Sequence, residues 1–216
     1  MTGCTLGWFR TSVIAVAMLL SLRGAARAYE IGSGMYDSSA VTAIARGTKQ
    51  VGVAAIFVAD YASAGEVTTF RATVLGELSF RYFVHRNVAI GIDLDPYYKH
   101  DSSNALGTTA TASEVGGLVL VDAHYYARLG GGFFLRPGGG LGAFLGSHRT
   151  PLTDFAVTTT TVYGGAAQVD LGLVFFPSSR VSLEAVPRVL VFAGRSDAGT
   201  VVNADAGFSV GVHYTF

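Results

Sequence analysis

Hydrophobic and polar residues alternate along most of this chain with a period of two. From residue 49 onward, apolar side chains occupy every second position in eight successive segments. This period is typical of β-strands whose two faces meet different surroundings. The pattern predicts strands at 49–61, 68–84, 88–99, 114–129, 133–147, 160–177, 181–195 and 201–216.

The last predicted strand shows the alternation most clearly. Its even positions, from Val202 to Phe216, are apolar, whereas its odd positions include Asn203, Asp205 and His213. In the second to eighth strands the apolar face carries no charged residue except Arg195, the last residue of the seventh strand, and the other charges collect on the opposite face. The first strand is weaker because both of its faces are mostly apolar. Three prolines fall inside predicted strands, where each predicts a bulge or a strand end: Pro96, Pro137 and Pro187.

The predicted connections alternate in length. The short ones are 85–87, 130–132 and 177–180, and the long ones are 62–67, 100–113, 148–159 and 196–200. Short turns at one end and longer loops at the other are typical of transmembrane β-barrels. An even number of strands places both ends of the barrel domain on the short-turn side.

Most aromatic residues of the apolar face lie near the strand ends, and the middles are mostly aliphatic. Those toward the long connections are Phe70, Tyr98 and Tyr163, and those toward the short turns are Tyr82, Tyr125, Phe133, Phe175, Tyr214 and Phe216. Aromatic rings prefer the two interfaces of a bilayer, so the apolar face is expected to point outward into lipid. The alternative is a soluble barrel of lipocalin type, which would turn the same face inward.

With the apolar face outward, the charged face lines the lumen. Eight strands leave an interior just wide enough for side chains to fill. Because unpaired buried charge is costly, acids and bases there are expected to pair. The predicted lumen charge network consists of Arg71, Glu77, Arg81, Asp93, Asp95, Asp122, His124, Arg128, Arg136, Asp170, Glu184, Arg188 and Asp205.

Composition and the N-terminus indicate an exported membrane protein. Half of the residues are hydrophobic, 14% are charged and the net charge is zero, so nothing suggests a nucleic-acid partner. An apolar run follows Arg10, and Ala26 and Ala28 form an A-x-A site, which predicts a cleaved signal peptide over 1–28. Residues 29–48 are expected to be a loosely ordered extension. Cys4, the single cysteine, leaves with the signal.

The last strand ends in Val-His-Tyr-Thr-Phe, and two further segments, 83–91 (FVHRNVAIG) and 137–142 (PGGGLG), carry a family resemblance. Over residues 49–216 the chain resembles small outer-membrane barrels of the OmpA and OmpX type. The resemblance implies an all-β, eight-stranded antiparallel transmembrane up-and-down β-barrel in the outer membrane of a Gram-negative bacterium. It also implies that Tyr214 and Phe216 form the signal for the outer-membrane assembly machinery. The expected surroundings are outer-membrane lipid and lipopolysaccharide, and the expected oligomeric state is a monomer.

The chain carries no pattern typical of a cofactor, metal or catalytic site. Its glycine clusters lack the Gly-Lys-Ser/Thr of a phosphate loop, and no two histidines have metal-ligand spacing. Asp205, Ser209 and His213 share a face, but roughly 13 Å separates successive members. We therefore expect a non-enzymatic envelope scaffold or surface-contact protein. The alternatives are a narrow pore for ions or small solutes and a membrane-embedded enzyme, either lipid-modifying or a protease with rim residues among His100, Asp101, His148, Asp154 and Asp197.

Overall fold

The chain forms a single antiparallel β-sheet of nine strands within the residues that the structure describes. The structure is a computed structural model and describes residues 42–64, 67–105, 108–153, 156–196 and 199–216. No helix in these ranges is long and apolar enough to cross a membrane. The strands are β1 (Lys49–Ala64), β2 (Val67–His85), β3 (Val88–Ala105), β4 (Thr108–Tyr125), β5 (Ala127–Gly130), β6 (Phe133–Thr153), β7 (Ala156–Phe175), β8 (Val181–Ser196) and β9 (Gly199–Thr215).

The sheet closes on itself into a barrel. Each long strand pairs with the next along the chain, and β1 pairs with β9 to complete the ring. The four-residue β5 continues β4 beyond a break at Tyr126 and pairs with β6, as β4 does. The ring therefore has eight hydrogen-bonded strands, which confirms the predicted all-β, eight-stranded antiparallel up-and-down barrel.

The strands are tilted and staggered around the barrel. A path through paired residues leaves β8 at Leu183 and, after one circuit, returns to β8 at Ala193, ten residues further along. The path runs through Val212, Val53, Leu78, Leu94, Val119, Ala143 and Gly165. Such a stagger in eight strands requires a tilt of about 40°. The interior is then narrow enough for side chains to fill.

The predicted assignment of faces is confirmed. Apolar residues of the outward face are exposed, as at Val121 (63%) and Leu141 (71%), and their inward neighbours such as Leu120 are fully buried. Outward aromatic rings include Tyr82 and Tyr98. A soluble barrel with its apolar face inside would show the opposite exposure, so that alternative is wrong.

The predicted strand ends are wrong on the side of the long connections. Pairing continues to Ala64↔Val67, to Ala105↔Thr108 and to Ser196↔Gly199, so most of the predicted loops are strand. The hydrophobic alternation stops earlier because both faces become polar there. Threonine, common in these extensions, favours β-structure without an apolar face.

The three strand prolines also differ from the prediction of bulges or strand ends. Pro96, Pro137 and Pro187 each lie inside a strand, and the register continues unchanged through all of them. Pairs are missing between Leu75↔Tyr97 and Leu78↔Leu94, beside Pro96, because proline lacks the N–H that a ladder bond needs. The barrel therefore accommodates a proline by losing pairing locally, without shifting its strands.

Residues 42–48 close the short-turn end of the barrel. Ala43 and Ile44 are buried there in an apolar cluster with aromatic residues. Three backbone bonds hold the segment: Gly47 N donates to Phe83 O (2.8 Å), Phe83 N donates to Thr48 O (3.0 Å), and Asn87 N donates to Ile44 O (3.3 Å). This part of the predicted loose extension is thus packed into the barrel base, whereas residues 29–41 and the predicted signal peptide lie outside the described residues.

Candidate functional site

The lumen is filled by layers of side chains. Along β2, the inward residues pass from apolar Leu75 through charged Glu77 and Arg81 to apolar Phe83. The upper apolar layer, on the side of the long strand extensions, consists of Ile56, Val58, Leu75, Tyr97, Leu118, Leu120, Phe144, Val162, Ala166, Leu190 and Phe192. The lower apolar layer consists of Ala43, Ile44, Phe83, Ala89, Tyr126, Phe134, Val174 and Phe176. A charged layer lies between them.

Glu184 on β8 has the most ionic partners in the charged layer. Arg81 Nη1 donates to Glu184 Oε1 at 2.8 Å, and Arg136 Nη2 lies 3.3 Å from Glu184 Oε2. His213 Nδ1 is 3.4 Å from the same Oε1. The four side chains come from β8, β2, β6 and β9, so this cluster links strands across the lumen.

A second group of ionic contacts connects Glu77 to Asp170. Arg188 Nη2 donates to Glu77 Oε2 at 2.6 Å, and Arg188 Nη1 donates to Gln168 Oε1 at 3.3 Å. Gln168 Nε2 then donates to Asp170 Oδ2 at 3.0 Å, and His124 Nε2 lies 3.3 Å from that oxygen. The alternation predicted these residues for one face, and the structure brings them into one connected network.

Three carboxylates on β3 and β4 have no arginine or lysine partner among the described ion pairs, and Asp122 has only His124, whose Nδ1 lies 3.6 Å from its Oδ2. Both side-chain oxygens of Asp95 and of Asp122, and Oδ1 of Asp93, are buried with no hydrogen-bond partner among the described residues. We call these residues the acidic wall. The charged layer contains six buried carboxylates, Glu77, Asp93, Asp95, Asp122, Asp170 and Glu184, against three arginines, Arg81, Arg136 and Arg188. The expected balance of charge is therefore not met in this layer.

Above the upper apolar layer, polar groups line the mouth of the lumen. Lys99 Nζ lies 3.3 Å from Asp205 Oδ2 and 4.3 Å from the centre of the Phe192 ring. Arg71, which is partly exposed, donates through Nε to Asp101 Oδ1 at 2.6 Å. Of the predicted network, Arg71 and Asp205 thus belong to this separate upper group.

Arg128 differs from its predicted position. It is exposed at the short-turn end and is not a lumen residue. The strand breaks at the buried Tyr126, whose N–H donates to Asn87 O (2.8 Å), and the register shifts between Arg128 and Gly130. A break of this kind resets the alternation, which the sequence pattern alone did not indicate.

Two lumen histidines pack against glycines of neighbouring strands. A Cβ atom built on Gly52 would overlap the His213 ring, and one built on Gly138 would overlap the His124 ring. Each ring therefore occupies the space that a side chain would take. Glycine is required at these two positions by the close approach of the ring and not by backbone conformation.

The lumen contains a serine in contact with a histidine that in turn contacts a carboxylate, the arrangement found in serine hydrolases. The three residues are Ser79, His213 and Glu184, and they come from three different strands. Ser79 Oγ is 2.9 Å from His213 Nε2, and His213 Nδ1 is 3.4 Å from Glu184 Oε1. The alternation indicates which residues share a face of one strand but not which strands meet across the lumen, so it did not reveal this cluster. All three residues are buried, and the two apolar layers lie on either side of them.

Other candidate chemistry is sparse. In the part of the chain that the structure describes, no group of three or more His, Cys, Asp or Glu residues could hold a metal ion. Tyr214 and Phe216 point outward, and the backbone of Phe216 exchanges hydrogen bonds of 2.9 and 3.0 Å with Lys49. Their role as an assembly signal remains a prediction, and Ala26 and Ala28 lie outside the described residues.

Comparison with solved structures identifies the class of fold. The barrel is similar to OprG from Pseudomonas aeruginosa, with a TM-score of 0.52 and 14% identity over 82% of this chain and 99% of that one. It is also similar to Ail of Yersinia pestis, with a TM-score of 0.51 and 13% identity over 79% of this chain and 99% of that one. The chain thus has the fold of the small outer-membrane β-barrels.

These likenesses are limited to the fold. No family model matches the chain, and no curated protein matches it. Within the class, the architecture agrees with the OmpA and OmpX type that the sequence resembles. The outward apolar belt and this fold together support the predicted outer-membrane localisation.

Proposed function

We propose that this protein is an integral outer-membrane barrel with a closed lumen, and that it acts without catalysis as an envelope scaffold or in surface contact. The observation that carries the proposal is the layered filling of the lumen. Two apolar layers separate the charged layer from both ends. An interior of this kind gives rigidity to the wall and leaves the outer ends of the strands as the surface available for contact.

The packing around glycine supports a closed lumen. A Cβ atom on Gly116 would lie 2.5 Å from the Tyr97 ring, and one on Gly172 would lie 2.9 Å from Arg136 Nε. The space on the lumen side of these two glycines is therefore occupied by neighbouring side chains. Ail, of similar fold, was solved in complex with the heparin analogue sucrose octasulfate. A polyanion is accordingly one ligand to try at the outer end of this barrel.

The test is conductance across a planar bilayer after refolding the mature chain, with insertion measured separately by protease protection and by heat-dependent mobility on gels. The proposal predicts insertion without discrete current steps. Regular current steps from a homogeneous, correctly folded sample would refute the closed lumen. Failure of the folded chain to insert would refute the membrane assignment.

A narrow pore is the second candidate, and the acidic wall favours it. Carboxylates that have no protein partner would be stabilised by water and passing cations. If current steps do appear, this candidate predicts cation selectivity that decreases in Asp95→Asn. A matched control, Asp205→Asn, removes a carboxylate that is paired with Lys99 and lies outside the acidic wall.

The enzyme alternative is tested at Ser79. Because the Ser79–His213–Glu184 cluster is enclosed, we expect no labelling by a fluorophosphonate probe in the folded protein. Covalent labelling of wild-type protein that disappears in Ser79→Ala would show that the lumen opens and would favour the enzyme.

A further inference from the structure

We propose that the short-turn end of the barrel binds the phosphate groups of anionic phospholipids in the periplasmic leaflet through a ring of basic side chains. This ring, the basic collar, consists of Arg46, Lys49, Arg86 and Arg180, all of which are exposed. The proposal rests on the membrane insertion proposed above. It goes further in naming a lipid class and the residues that contact it.

The charges of this protein are sorted by location. The chain has 15 basic and 15 acidic residues, so an even mixture would be expected on its surface. Yet no acidic side chain is classed as exposed in the ranges where the structure describes side chains. The described acids face the lumen, and most of them are buried there.

The depth of the collar matches that of lipid phosphates. Lys49 pairs with Tyr82, whose exposed ring belongs to the aromatic girdle of this end. Arg86 and Asn87 form a two-residue turn in which Asn87 has a φ of 69°, so Arg86 stays close to the strand ends. Since girdle rings lie at the headgroup level, cations one or two residues away lie there too.

The shortness of the turns favours lipid over a partner deeper in the periplasm. Residues 176–180 are the longest connection between described strands at this end, and Arg180, which directly precedes β8, accepts a backbone bond from Thr215 N of β9 (2.7 Å). A cation so close to the strands cannot extend far below the membrane surface. Arginine binds phosphate through two parallel N–H bonds, and each basic residue near an anionic surface raises binding roughly fivefold.

The experiment measures lipid association directly. The mature chain is refolded into phosphatidylcholine vesicles containing spin-labelled phosphatidylglycerol or spin-labelled phosphatidylcholine, and the motionally restricted fraction of each is compared. We expect phosphatidylglycerol to associate at least about twofold more strongly at low salt, as an average over all sites around the barrel. In about 1 M NaCl, where the screening length is about 3 Å, the ratio should approach one.

Two variants locate the effect. Replacing the four collar residues with Gln should remove most of the preference at low salt, although the exposed Arg128 remains at the same end, whereas replacing the three collar arginines with Lys should preserve it. A matched control neutralises Arg149 and Arg195, which are exposed at the opposite end, and should keep most of the preference. Equal loss in this control would overturn the assignment to the collar.

The outcomes separate this proposal from the proposed function. If wild-type protein inserts but shows no preference at low salt, the lipid proposal fails and the membrane assignment stands. If wild-type protein does not insert, the proposed function fails first. If the Gln variant does not fold, the salt titration of wild-type protein decides: a preference that persists unchanged at high salt overturns the proposal.

Discussion

Two buried carboxylates that look alike in the sequence should respond in opposite ways to the same substitution. Glu184 and Asp95 both face the lumen and are both almost completely buried. Glu184 has Arg81 and Arg136 within 2.8 and 3.3 Å, whereas both oxygens of Asp95 lack a hydrogen-bond partner in the described part of the chain. Glu184→Gln and Asp95→Asn each replace a carboxylate with an amide of nearly the same shape.

The expected change in the free energy of unfolding depends on which charged groups remain buried after each carboxylate is replaced. Removing the charge of Glu184 leaves two buried guanidinium groups that share it, and breaking a buried ion pair costs about 3–5 kcal/mol. We expect Glu184→Gln to lower the free energy of unfolding by about that amount. In Asp95→Asn no arginine loses a direct partner and one unpaired carboxylate disappears, so the free energy of unfolding should stay unchanged or increase.

The assay is urea-induced unfolding in lipid vesicles, followed by circular dichroism and by the mobility of the unheated protein on gels. Both variants and wild-type protein are compared at the same pH and ionic strength, with refolding curves included to establish equilibrium. Equal destabilisation by the two substitutions would refute the reasoning, because burial alone would then determine the cost. A larger loss in Asp95→Asn would show that the acidic wall has partners that the structure does not contain.

Three other substitutions test the membrane boundary, the lumen packing and the assembly signal. Val121→Arg, in the middle of the outward apolar belt, should lower the free energy of unfolding by about 2–4 kcal/mol. Val202→Arg, near the outer interface, should lower it by about 0–1 kcal/mol in the same titration. Equal losses would contradict the depths assigned to these two residues. Gly138→Ala should destabilise the barrel by about 1–3 kcal/mol, because the added Cβ displaces the His124 ring. The control Gly117→Ala, whose added Cβ meets nothing within 4 Å, should leave the stability unchanged. An unchanged stability in Gly138→Ala would mean that the ring is free to move. Deleting Phe216 should lower the amount of protein in the outer membrane, measured by fractionation, and wild-type levels would argue against the end signal.

The barrel itself was predictable because the lipid and the lumen impose opposite requirements on alternate residues. A residue such as Val121 must be apolar and its neighbour Asp122 has no access to lipid, so the period of two survives through the membrane. Above the membrane this constraint ends, and both faces become polar. The predicted third strand therefore stopped at residue 99, although pairing continues to Ala105.

The arrangement inside the lumen was less predictable, because pairing depends on which strands face each other across it. The sequence indicated that Glu184 and Arg136 share the inner face but not that they are partners. It also did not separate them from Asp95, since paired and unpaired carboxylates produce the same pattern. The apolar layers were missed for a related reason: Phe144 and Phe192 point inward in strands whose outer faces are also apolar.

The length of the strands determines which surface the barrel would present outside the cell. β6 has 21 residues, which at about 3.3 Å per residue and a tilt of about 40° spans about 50 Å of barrel height, roughly twice the 25 Å of an apolar membrane belt. The extra height rises on the side of the long strand extensions and remains hydrogen-bonded, with Thr159 and Thr161 exposed on its outer surface. An antibody or adhesion partner would therefore bind a preformed wall and lose little conformational entropy in ordering it. Its epitope would be discontinuous, shared between neighbouring strands, and would vanish when the barrel is unfolded by heat.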